Sequence, residues 1–244
     1  MDIVKSIIVW FVGITYMIIM FPLTFFVWFI ALPFDRNRTV THWMLVYQGL
    51  ILTRLMPVWT IRIEGRDKAD TKATYVIISN HQSILDILLL NCLRYRYKWI
   101  SKIENEKVPV LGWYIKMAGY ITVDRGNDES KAVMLEKSLE SLSSGISIMI
   151  FPEGTRSLNN ETGFFKRGAF QLAIQSGQAI LPVIIDGTGG VLPKHGFVFR
   201  GGNRIKIRVL DPVGPDSFGT DNPDELALKF SNFMKSALRD LRNG

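Results

Sequence analysis

The sequence has few of the residues from which metal centres and disulfides are built. It contains one cysteine, Cys92, and three histidines, which are His42, His81 and His195. A single cysteine excludes an internal disulfide and a cysteine-rich zinc site. The chain also lacks a Gly-x-Ser-x-Gly segment, so nothing indicates a serine nucleophile that would form a covalent intermediate.

Acidic side chains are scarce relative to basic ones. There are 22 Asp and Glu against 29 Lys and Arg, which gives a formal charge of +7. This balance favours an anionic partner, and a phospholipid surface, a phosphorylated substrate and a nucleic acid all fit it. The length of 244 residues suits one domain with a substantial core and is too short for two full-sized domains plus a membrane segment.

Charge is missing altogether from Ile7 to Leu32, a run of 26 residues. A helix of this length can cross a bilayer. The run is longer than the apolar part of a secretory signal, and no small-residue cleavage site follows it. Pro22 lies in its middle and removes one backbone donor, so we expect a kinked or split helix, either a bent span or a hairpin in one leaflet. The alternative is a buried core helix.

Basic residues near the uncharged run lie mostly after it. One precedes the run and three follow: Lys5, then Arg36, Arg38 and Arg54. Because positive charge is retained on the cytoplasmic side of membranes, this bias places the rest of the chain at the cytoplasmic face.

A second apolar segment, Thr41–Met56, is too rich in large apolar residues for the surface helix of a soluble protein. It fits a second membrane-associated helix, and it fits equally a core helix packed on the sheet that follows. We therefore expect membrane-anchoring helices in residues 1–57 and one catalytic-sized domain in residues 58–244.

From residue 58 onwards, short apolar runs alternate with helical patterns. Strands are predicted at Val58–Glu64, Tyr75–Ser79, Ile146–Phe151, Ile180–Ile185 and Arg204–Leu210. Helices are predicted at Ile84–Arg94, Glu129–Ser143, Gly168–Ser176 and Pro223–Leu241. This alternation predicts an α/β fold with a mostly parallel central sheet flanked by helices. Pro182 inside one of the runs requires a strand end or a bulge.

Polar loops follow two of the predicted buried strands. Residues 80–86 (NHQSILD) come after Tyr75–Ser79, and residues 152–157 (PEGTRS) come after Ile146–Phe151. In sheets of this kind, reactive groups lie in loops at the carboxyl ends of the strands. We therefore expect the functional site in these two loops.

His81 and Asp86 form a candidate base and orienter. A regular helix through both would point their side chains to different faces. If Ser83 instead caps a helix that contains Asp86 in its first turn, His81 lies in the preceding loop and its ring can bond to the carboxylate. The other ring nitrogen then faces a substrate hydroxyl. The alternative is that Asp86 is only a helix cap and His81 an ordinary loop residue.

The turn from Glu153 to Arg156 offers groups that bind a polyol phosphate. Glu153 supplies an acceptor for hydroxyls, Gly154 permits close approach of the backbone, and Arg156 supplies a forked donor for phosphate. Lys102 and Arg125, from an apolar segment in between, would add to a phosphate clamp. Alternatively, the Glu153–Arg156 segment is an ordinary polar turn, and Lys102 and Arg125 are solvated surface cations.

Four blocks between Val76 and Val183 carry these residues in a fixed order. Their patterns are N-H-x-x-x-x-D; then K, P-x-x-G and G-x-x-x-x-D-R; then F-P-E-G-T-R-S with F-K-x-G; and a short apolar stretch around a proline. They fall on Asn80, His81 and Asp86; on Lys102, Pro109, Gly112, Gly119, Asp124 and Arg125; on Phe151–Ser157 and Phe165–Gly168; and on Leu181, Pro182 and Val183. In this combination the chain resembles the lysophosphatidic acid acyltransferases, the 1-acyl-glycerol-3-phosphate acyltransferases of the glycerolipid acyltransferase superfamily.

The resemblance implies a role for each matching residue. His81 would be the general base and Asp86 its orienter. The binders of the glycerol phosphate would be Glu153, Gly154, Thr155 and Arg156, with Lys102 and Arg125 assisting at the phosphate. The chain departs from the family pattern at Asn105, where an apolar residue is usual, and at Thr122, which occupies an aromatic or aliphatic position. We expect both to bear on acceptor selectivity more than on the chemistry.

The resemblance also implies the reaction. An acyl group would pass from acyl-CoA or acyl-carrier protein to the sn-2 hydroxyl of lysophosphatidic acid and give phosphatidic acid, with no metal or redox cofactor. Another lyso-lipid acceptor remains open, as does a non-catalytic lipid-binding membrane protein of the same fold, although the latter would be expected to lack His81 or Asp86. A nucleic-acid partner is disfavoured because the cations are dispersed along a chain that carries a membrane segment.

Overall fold

A seven-stranded sheet forms the centre of the molecule. The structure is a computed structural model that describes residues 2–56, 59–201 and 203–244. Within these ranges the strands are β1 (Trp59–Glu64), β2 (Val76–Ser79), β3 (Tyr97–Lys102), β4 (Ile121–Val123), β5 (Ser147–Ile150), β6 (Ile180–Asp186) and β7 (Asn203–Val209). They lie in the spatial order β1-β7-β6-β2-β5-β3-β4. All neighbours are parallel except β6 and β7, which are antiparallel, so the predicted mostly parallel sheet is confirmed.

Helices cover both faces of the sheet. They are α1 (Asp2–Ala31), α2 (Thr39–Leu55), α3 (Leu85–Leu90), α4 (Leu111–Met117), α5 (Asp128–Ser143), α6 (Gly168–Ser176), α7 (Thr188–Val191) and α8 (Pro223–Asn243). One core lies on the side of α3 and the N-terminal helices. A second core lies under α5, α6 and α8. The central strands read as continuous apolar runs because they are buried on both faces: in β2, Ile77 joins the first core, and Val76 and Ile78 join the second.

Several predicted elements have different bounds in the structure. The helix expected at Ile84–Arg94 is the shorter α3, followed by a 3-10 turn at Asn91–Leu93. The C-terminal helix continues past Leu241 to Asn243. Of the first predicted strand, Val58 lies outside the described residues. The sequence patterns missed β3, β4, α4 and α7.

Pro182 lies inside β6, next to the bulge that its missing N–H group requires. Two backbone hydrogen bonds pair Ile180 with Val213, whereas the carbonyl of Pro182 accepts from the N–H of Leu210. The chain therefore advances two residues along β6, from Ile180 to Pro182, and three residues along the facing segment, from Leu210 to Val213. One extra residue on one of two paired strands is a β-bulge. Of the two alternatives expected at Pro182, a strand end or a bulge, the pairing shows the bulge.

A kinked or split helix was expected at Pro22, and the split alternative was wrong, because α1 is continuous from Asp2 to Ala31. A proline removes one hydrogen bond from the helix, and contacts beside it hold the chain in place. The ring of Phe21 packs against Trp113 and Tyr114 of α4 with centroid distances of 5.1 and 5.8 Å. These aromatic contacts fix the part of α1 that the proline would weaken.

Helix α2 has two different apolar faces. One face is buried on the domain and includes His42, Val46 and Leu50. The other is exposed and includes Tyr47 and Ile51. Packing on the core confirms the core-helix interpretation for one face of α2, and the membrane-associated interpretation stays a prediction for the exposed face.

Candidate active site

The two polar loops meet because the strands that lead into them are neighbours. Strands β2 and β5 pair in parallel, with Ile78 opposite Ile150, so their carboxyl ends lie side by side. Asn80 then ties the first loop to β6, since its side-chain amide exchanges two hydrogen bonds with the backbone of Ile185 at 2.8 and 2.9 Å. The second loop is joined to the first by the N–H of Ser157, which donates to the carbonyl of His81 at 2.7 Å.

His81 and Asp86 are in direct contact. The His81 Nδ1 atom lies 2.8 Å from Oδ2 of Asp86. The same Oδ2 accepts the backbone N–H groups of Gln82 and Ser83 at 2.7 and 2.9 Å, so it acts as an acceptor and Nδ1 carries the proton. Asp86 is fully buried. His81 Nε2 makes no hydrogen bond within the part of the chain that the structure describes, and it is left as the basic nitrogen.

The local geometry differs slightly from the predicted capping box. Helix α3 begins one residue later than Ser83 would cap it, and its N-cap position, Ile84, makes no side-chain cap bond. The Asp86 carboxylate nevertheless accepts the Ser83 N–H, which is the acidic half of such a box. His81 therefore stays in the loop before the helix, as the base-and-orienter arrangement requires.

The ring of His81 is stacked on that of Phe151. Their centroids are 3.8 Å apart and the planes differ by 8°. The other side of the stack is Trp99, whose ring centroid lies 5.2 Å from that of Phe151. Phe151 is the first residue of the F-P-E-G-T-R-S block, but the sequence alone indicates no role for its ring.

Glu153 is a buried carboxylate that joins the two loops. Its Oε1 accepts the N–H of His81 at 2.9 Å, and its Oε2 accepts the N–H of Gly163 at 3.0 Å. Burial raises the pKa of Glu153 to about 7; the two hydrogen bonds oppose the rise and the charge of Asp86 adds to it. With 7% of its surface exposed, Glu153 holds the backbone of the general-base candidate.

Arg125 lies beside the second loop and holds its backbone. Its Nη1 donates to the carbonyl of Gly154, which has a positive φ of 68° that favours glycine. Partial burial lowers the pKa of Arg125, against the opposing charge of Glu104. Glu104 in turn pairs with Lys102 at 2.6 Å, and both of these side chains are about half exposed. Lys102 and Arg125 are thus brought to the same end of the sheet by β3 and β4.

Arg156 differs from the other two cations in having its donors uncommitted. Its guanidinium makes no hydrogen bond or ion pair within residues 2–56, 59–201 and 203–244, and its side chain is half-buried. Thr155 beside it is exposed. An unoccupied guanidinium next to the His81 loop can receive an anion without first breaking an internal contact.

Three further residues near His81 had no signal in the sequence. Gln82 donates through its side-chain nitrogen to Asp186 at 3.0 Å and to the carbonyl of Asn160 at 2.9 Å. Arg242, near the end of α8, bonds to the same aspartate.

Among the described residues, no group of three or more His, Cys, Asp or Glu side chains is arranged to hold a metal ion.

Comparisons with known proteins show which family the chain belongs to. The family described as Acyltransferase matches residues 60–186. The chain is 36% identical over 182 residues to a 1-acyl-sn-glycerol-3-phosphate acyltransferase of the Arabidopsis thaliana chloroplast, an alignment covering 72% of this chain and 50% of that one. It is 33% identical over 210 residues to the 1-acyl-sn-glycerol-3-phosphate acyltransferase of Saccharomyces cerevisiae, covering 84% of this chain and 68% of the other. The chain thus spans about half the length of its chloroplast relatives and more of the yeast one.

The fold also has a counterpart among solved structures. The crystal structure of the 1-acyl-sn-glycerophosphate acyltransferase PlsC from Thermotoga maritima superposes with a TM-score of 0.81 at 23% identity, covering 99% of this chain and 96% of that one. At this identity the likeness concerns the fold. With the family match and the yeast relative, it places the chain in the acyltransferase family that includes these 1-acyl-sn-glycerol-3-phosphate acyltransferases.

Proposed function

We propose that the protein transfers an acyl group from a thioester donor, acyl-CoA or acyl-carrier protein, to the sn-2 hydroxyl of 1-acyl-glycerol-3-phosphate, forming phosphatidic acid. The observation that carries the proposal is the pair of His81 and Asp86, with Nδ1 bonded at 2.8 Å to a buried carboxylate and Nε2 uncommitted. This is the arrangement of a general base with its orienter. The names of the relatives supply the acceptor class.

The chemistry follows from the position of the basic nitrogen. Nε2 of His81 removes the proton of the acceptor hydroxyl as the oxygen attacks the thioester carbonyl. The new C–O ester bond forms, the C–S bond breaks, and the thiolate leaves and takes up a proton. Asp86 stabilises the positive imidazole that exists between these two events. The protein itself supplies no acyl-accepting nucleophile in this scheme.

The phosphate of the acceptor is assigned to the three cations. Arg156 is the principal ligand because its fork is uncommitted and matches two phosphate oxygens. Arg125 already donates one N–H to the carbonyl of Gly154, and its remaining N–H groups bind the phosphate. Among the described residues, Lys102 pairs with Glu104 alone, and both side chains are about half exposed, so exchanging this pair for a phosphate costs little.

Glu153, Gly154 and Thr155 are assigned to the glycerol side of the acceptor. The two carboxylate oxygens of Glu153 already take backbone N–H groups, so its first effect is to hold the His81 loop. Each oxygen retains a lone pair with which it can accept a glycerol hydroxyl.

We also propose that the protein lies in one leaflet of the membrane, with the domain at the cytoplasmic face. Helix α1 is long and apolar enough to span, but it contacts the domain from Ser6, which accepts from Phe199 N–H, to Phe21, whose ring packs on Trp113. The rise from Ser6 to Phe21 is about 22 Å at 1.5 Å per residue, which is about three quarters of the apolar core of a bilayer. A helix held along the domain over that length does not cross the membrane while the domain stays in water.

The outward surface of the N-terminal helices suits an interfacial position. Large apolar side chains are exposed along α1, at the start of α3 and on α4: Ile7, Phe11, Ile18, Phe26, Ile84, Ile87 and Trp113. Burying this surface in lipid would bring the active site to the level at which a lyso-lipid presents its hydroxyl.

The acceptor is tested with the purified protein, a labelled acyl-CoA and a panel of lyso-lipids. Labelled phosphatidic acid should form from lysophosphatidic acid faster than any product forms from lysophosphatidylglycerol or lyso-aminolipids. An acceptor whose only hydroxyl is blocked is the matched control and should give no product. Faster acylation of a lyso-lipid without a terminal phosphate would replace the proposed acceptor, and no acylation of any acceptor, with acyl-CoA or acyl-carrier protein, would refute the function.

The membrane arrangement is tested by thiol labelling of protein in sealed vesicles. In a Cys92→Ser background, Lys5→Cys at the start of α1 is compared with Arg239→Cys on α8. An impermeant reagent should label both positions from the same side. Labelling of residue 5 from the side opposite to residue 239 would mean that α1 crosses the bilayer.

A further inference from the structure

A network of hydrogen bonds joins the C-terminal end of α8 to the two active-site loops. Arg242 donates from Nε and Nη2 to Oδ1 of Asp186 at 3.1 and 3.0 Å. Its Nη2 also donates to the carbonyl of Asn160 at 2.6 Å, and its Nη1 pairs with Glu161 at 2.5 Å. One guanidinium therefore binds the end of β6 and the chain that follows the F-P-E-G-T-R-S block.

Gln82, the residue directly after His81, is bonded to the same two acceptors. Its Nε2 donates to Oδ1 of Asp186 at 3.0 Å and to the carbonyl of Asn160 at 2.9 Å. Its Oε1 accepts from Thr188 at 3.4 Å, and Gln82 is 1% exposed. Every polar atom of this amide is thus engaged, and both of its acceptors are shared with Arg242.

The ion pair of Arg242 and Asp186 is partly shielded from solvent. The side chain of Arg242 is 29% exposed and that of Asp186 is 21% exposed, so solvent screens this pair less than a surface pair. Asp186 faces the Gln82 amide and the Arg242 guanidinium with one oxygen. If Arg242 were removed, Asp186 and the carbonyl of Asn160 would each lose a charged donor and be free to move with Gln82.

We propose that Arg242 is a positioning residue for acyl transfer, which acts through Asp186, Asn160 and Gln82 on the loop that carries His81. The inference rests on the proposed function, because the base is His81. The backbone N–H of Gln82 donates to Asp86 at 2.7 Å, so displacement of Gln82 also disturbs the carboxylate that orients the imidazole. Misplacement of a catalytic group by about 1 Å can lower the rate by about 10²-fold, so the effect is expected on kcat.

The test compares three variants: Arg242→Met, Arg242→Lys and the control Arg239→Met. Arg239 lies one turn earlier on α8, is exposed, and makes no hydrogen bond or ion pair within the described residues. We expect Arg242→Met to lower kcat about tenfold with little change in the KM for acyl-CoA. Arg242→Lys should recover part of the loss, because an ammonium replaces some of the donors but not the fork. Arg239→Met should match the wild type.

A double-mutant cycle separates positioning from general stability. Arg242→Met is introduced into a Gln82→Met background, in which the link to the loop is already cut. If Arg242 acts through Gln82, the second substitution lowers kcat little further. Equal fold-losses from Arg242→Met in both backgrounds would overturn the proposal, as would an unchanged kcat for Arg242→Met.

Hydrogen exchange supplies a readout that does not depend on the substrate. Arg242→Met should raise exchange in peptides covering residues 80–88 and 157–162, whereas Arg239→Met should not. Unchanged exchange there would overturn the positioning role even if the reaction is confirmed. If instead the wild type acylates no lyso-lipid, the proposed function fails, and raised exchange would still show that Arg242 holds the loop.

Discussion

The imidazole of His81 lies flat on the ring of Phe151, with centroids 3.8 Å apart and planes 8° from parallel. The hydrogen bond to Asp86 fixes one edge of the imidazole, but a single bond leaves the ring free to rotate about the bonded edge. The stacked ring of Phe151 restricts that rotation, so that Nε2 has one direction in which to meet a hydroxyl.

Replacing Phe151 with Leu should lower kcat about tenfold, because Leu fills part of the space but offers no flat face to orient the imidazole. The KM for both substrates should change little. The measurement is steady-state kinetics with a thermal melt, and Phe233→Leu, at a half-exposed position of α8, is the control. A kcat equal to that of the control would remove the stack from the mechanism.

Replacing Asp86 with Asn should reduce turnover far more than stability. Asn keeps an oxygen for the N–H groups of Gln82 and Ser83, and loss of a helix-capping carboxylate costs only ~1 kcal/mol. The oxygen that accepts these N–H groups is also the one bonded to His81 Nδ1, so the bond to the imidazole loses its negative charge, and kcat should fall by about 10²–10⁴-fold because the imidazolium formed in the reaction is no longer stabilised. A variant that is fully active but less stable would reduce Asp86 to a helix cap.

The three cations should respond differently to substitution by Lys or Met. Arg156→Lys retains the charge but loses the fork, so the KM for lysophosphatidic acid should rise, kcat should fall, and the melting temperature should stay unchanged.

Arg125→Lys should lower the melting temperature as well, because Arg125 also holds the carbonyl of Gly154. Lys102→Met should raise the acceptor KM with no loss of stability.

Whether the KM for acyl-CoA or the KM for lysophosphatidic acid changes shows which substrate each cation binds. If Arg156→Lys alters only the KM for acyl-CoA, Arg156 binds the donor's phosphates, and the acceptor site would have to be placed around Lys102 and Arg125. Kinetics identical to the wild type for both substrates would make Arg156 an ordinary turn residue.

The elements on which the site depends could be predicted from the sequence. Strands β2 and β5 are short apolar runs with polar loops directly after them, and helix α6 has the predicted bounds of Gly168–Ser176. The pair of His81 and Asp86 could be predicted because the two residues are close in the chain and a capping geometry brings them together. In these cases the pattern of apolar residues and the short distance along the chain were sufficient for the prediction.

Features that depend on distant contacts could not be predicted. Strand β3 mixes polar and apolar residues (YKWISK) and β4 has three residues, so neither has a pattern without its partners. The link from Gln82 to Arg242 joins positions 160 residues apart through Asp186. Glu153 and Arg125 were predicted as substrate binders, but their backbone partners, His81 and Gly154, are visible only in the fold.

Glu153 should make stability depend on pH near neutrality. Its pKa is about 7 in the folded protein against an ordinary value of 4.5, so the folded state binds this proton more tightly than the unfolded state does. The resulting stabilisation is complete below about pH 4.5 and is lost as the pH rises through 7, at most about 3 kcal/mol.

The measurement is the free energy of unfolding between pH 4.5 and 8 for the wild type and for Glu153→Gln, which does not titrate. The wild type should lose stability relative to the variant as the pH rises. Glu136→Gln, at an exposed position on α5, is the control and should follow the wild type. A wild-type-minus-variant difference that is independent of pH would mean that the carboxyl of Glu153 titrates at its ordinary pKa.

The central claim is that Nε2 of His81 activates the hydroxyl of lysophosphatidic acid. The most direct test supplies labelled acyl-CoA and lysophosphatidic acid to the wild type and to His81→Ala, with folding checked by a thermal melt and membrane binding checked by vesicle sedimentation. The wild type should form labelled phosphatidic acid, and folded, membrane-bound His81→Ala should form it at least about 10²-fold more slowly, because a general base contributes that much or more. Phosphatidic acid formation by the folded variant at a rate near that of the wild type would contradict the account.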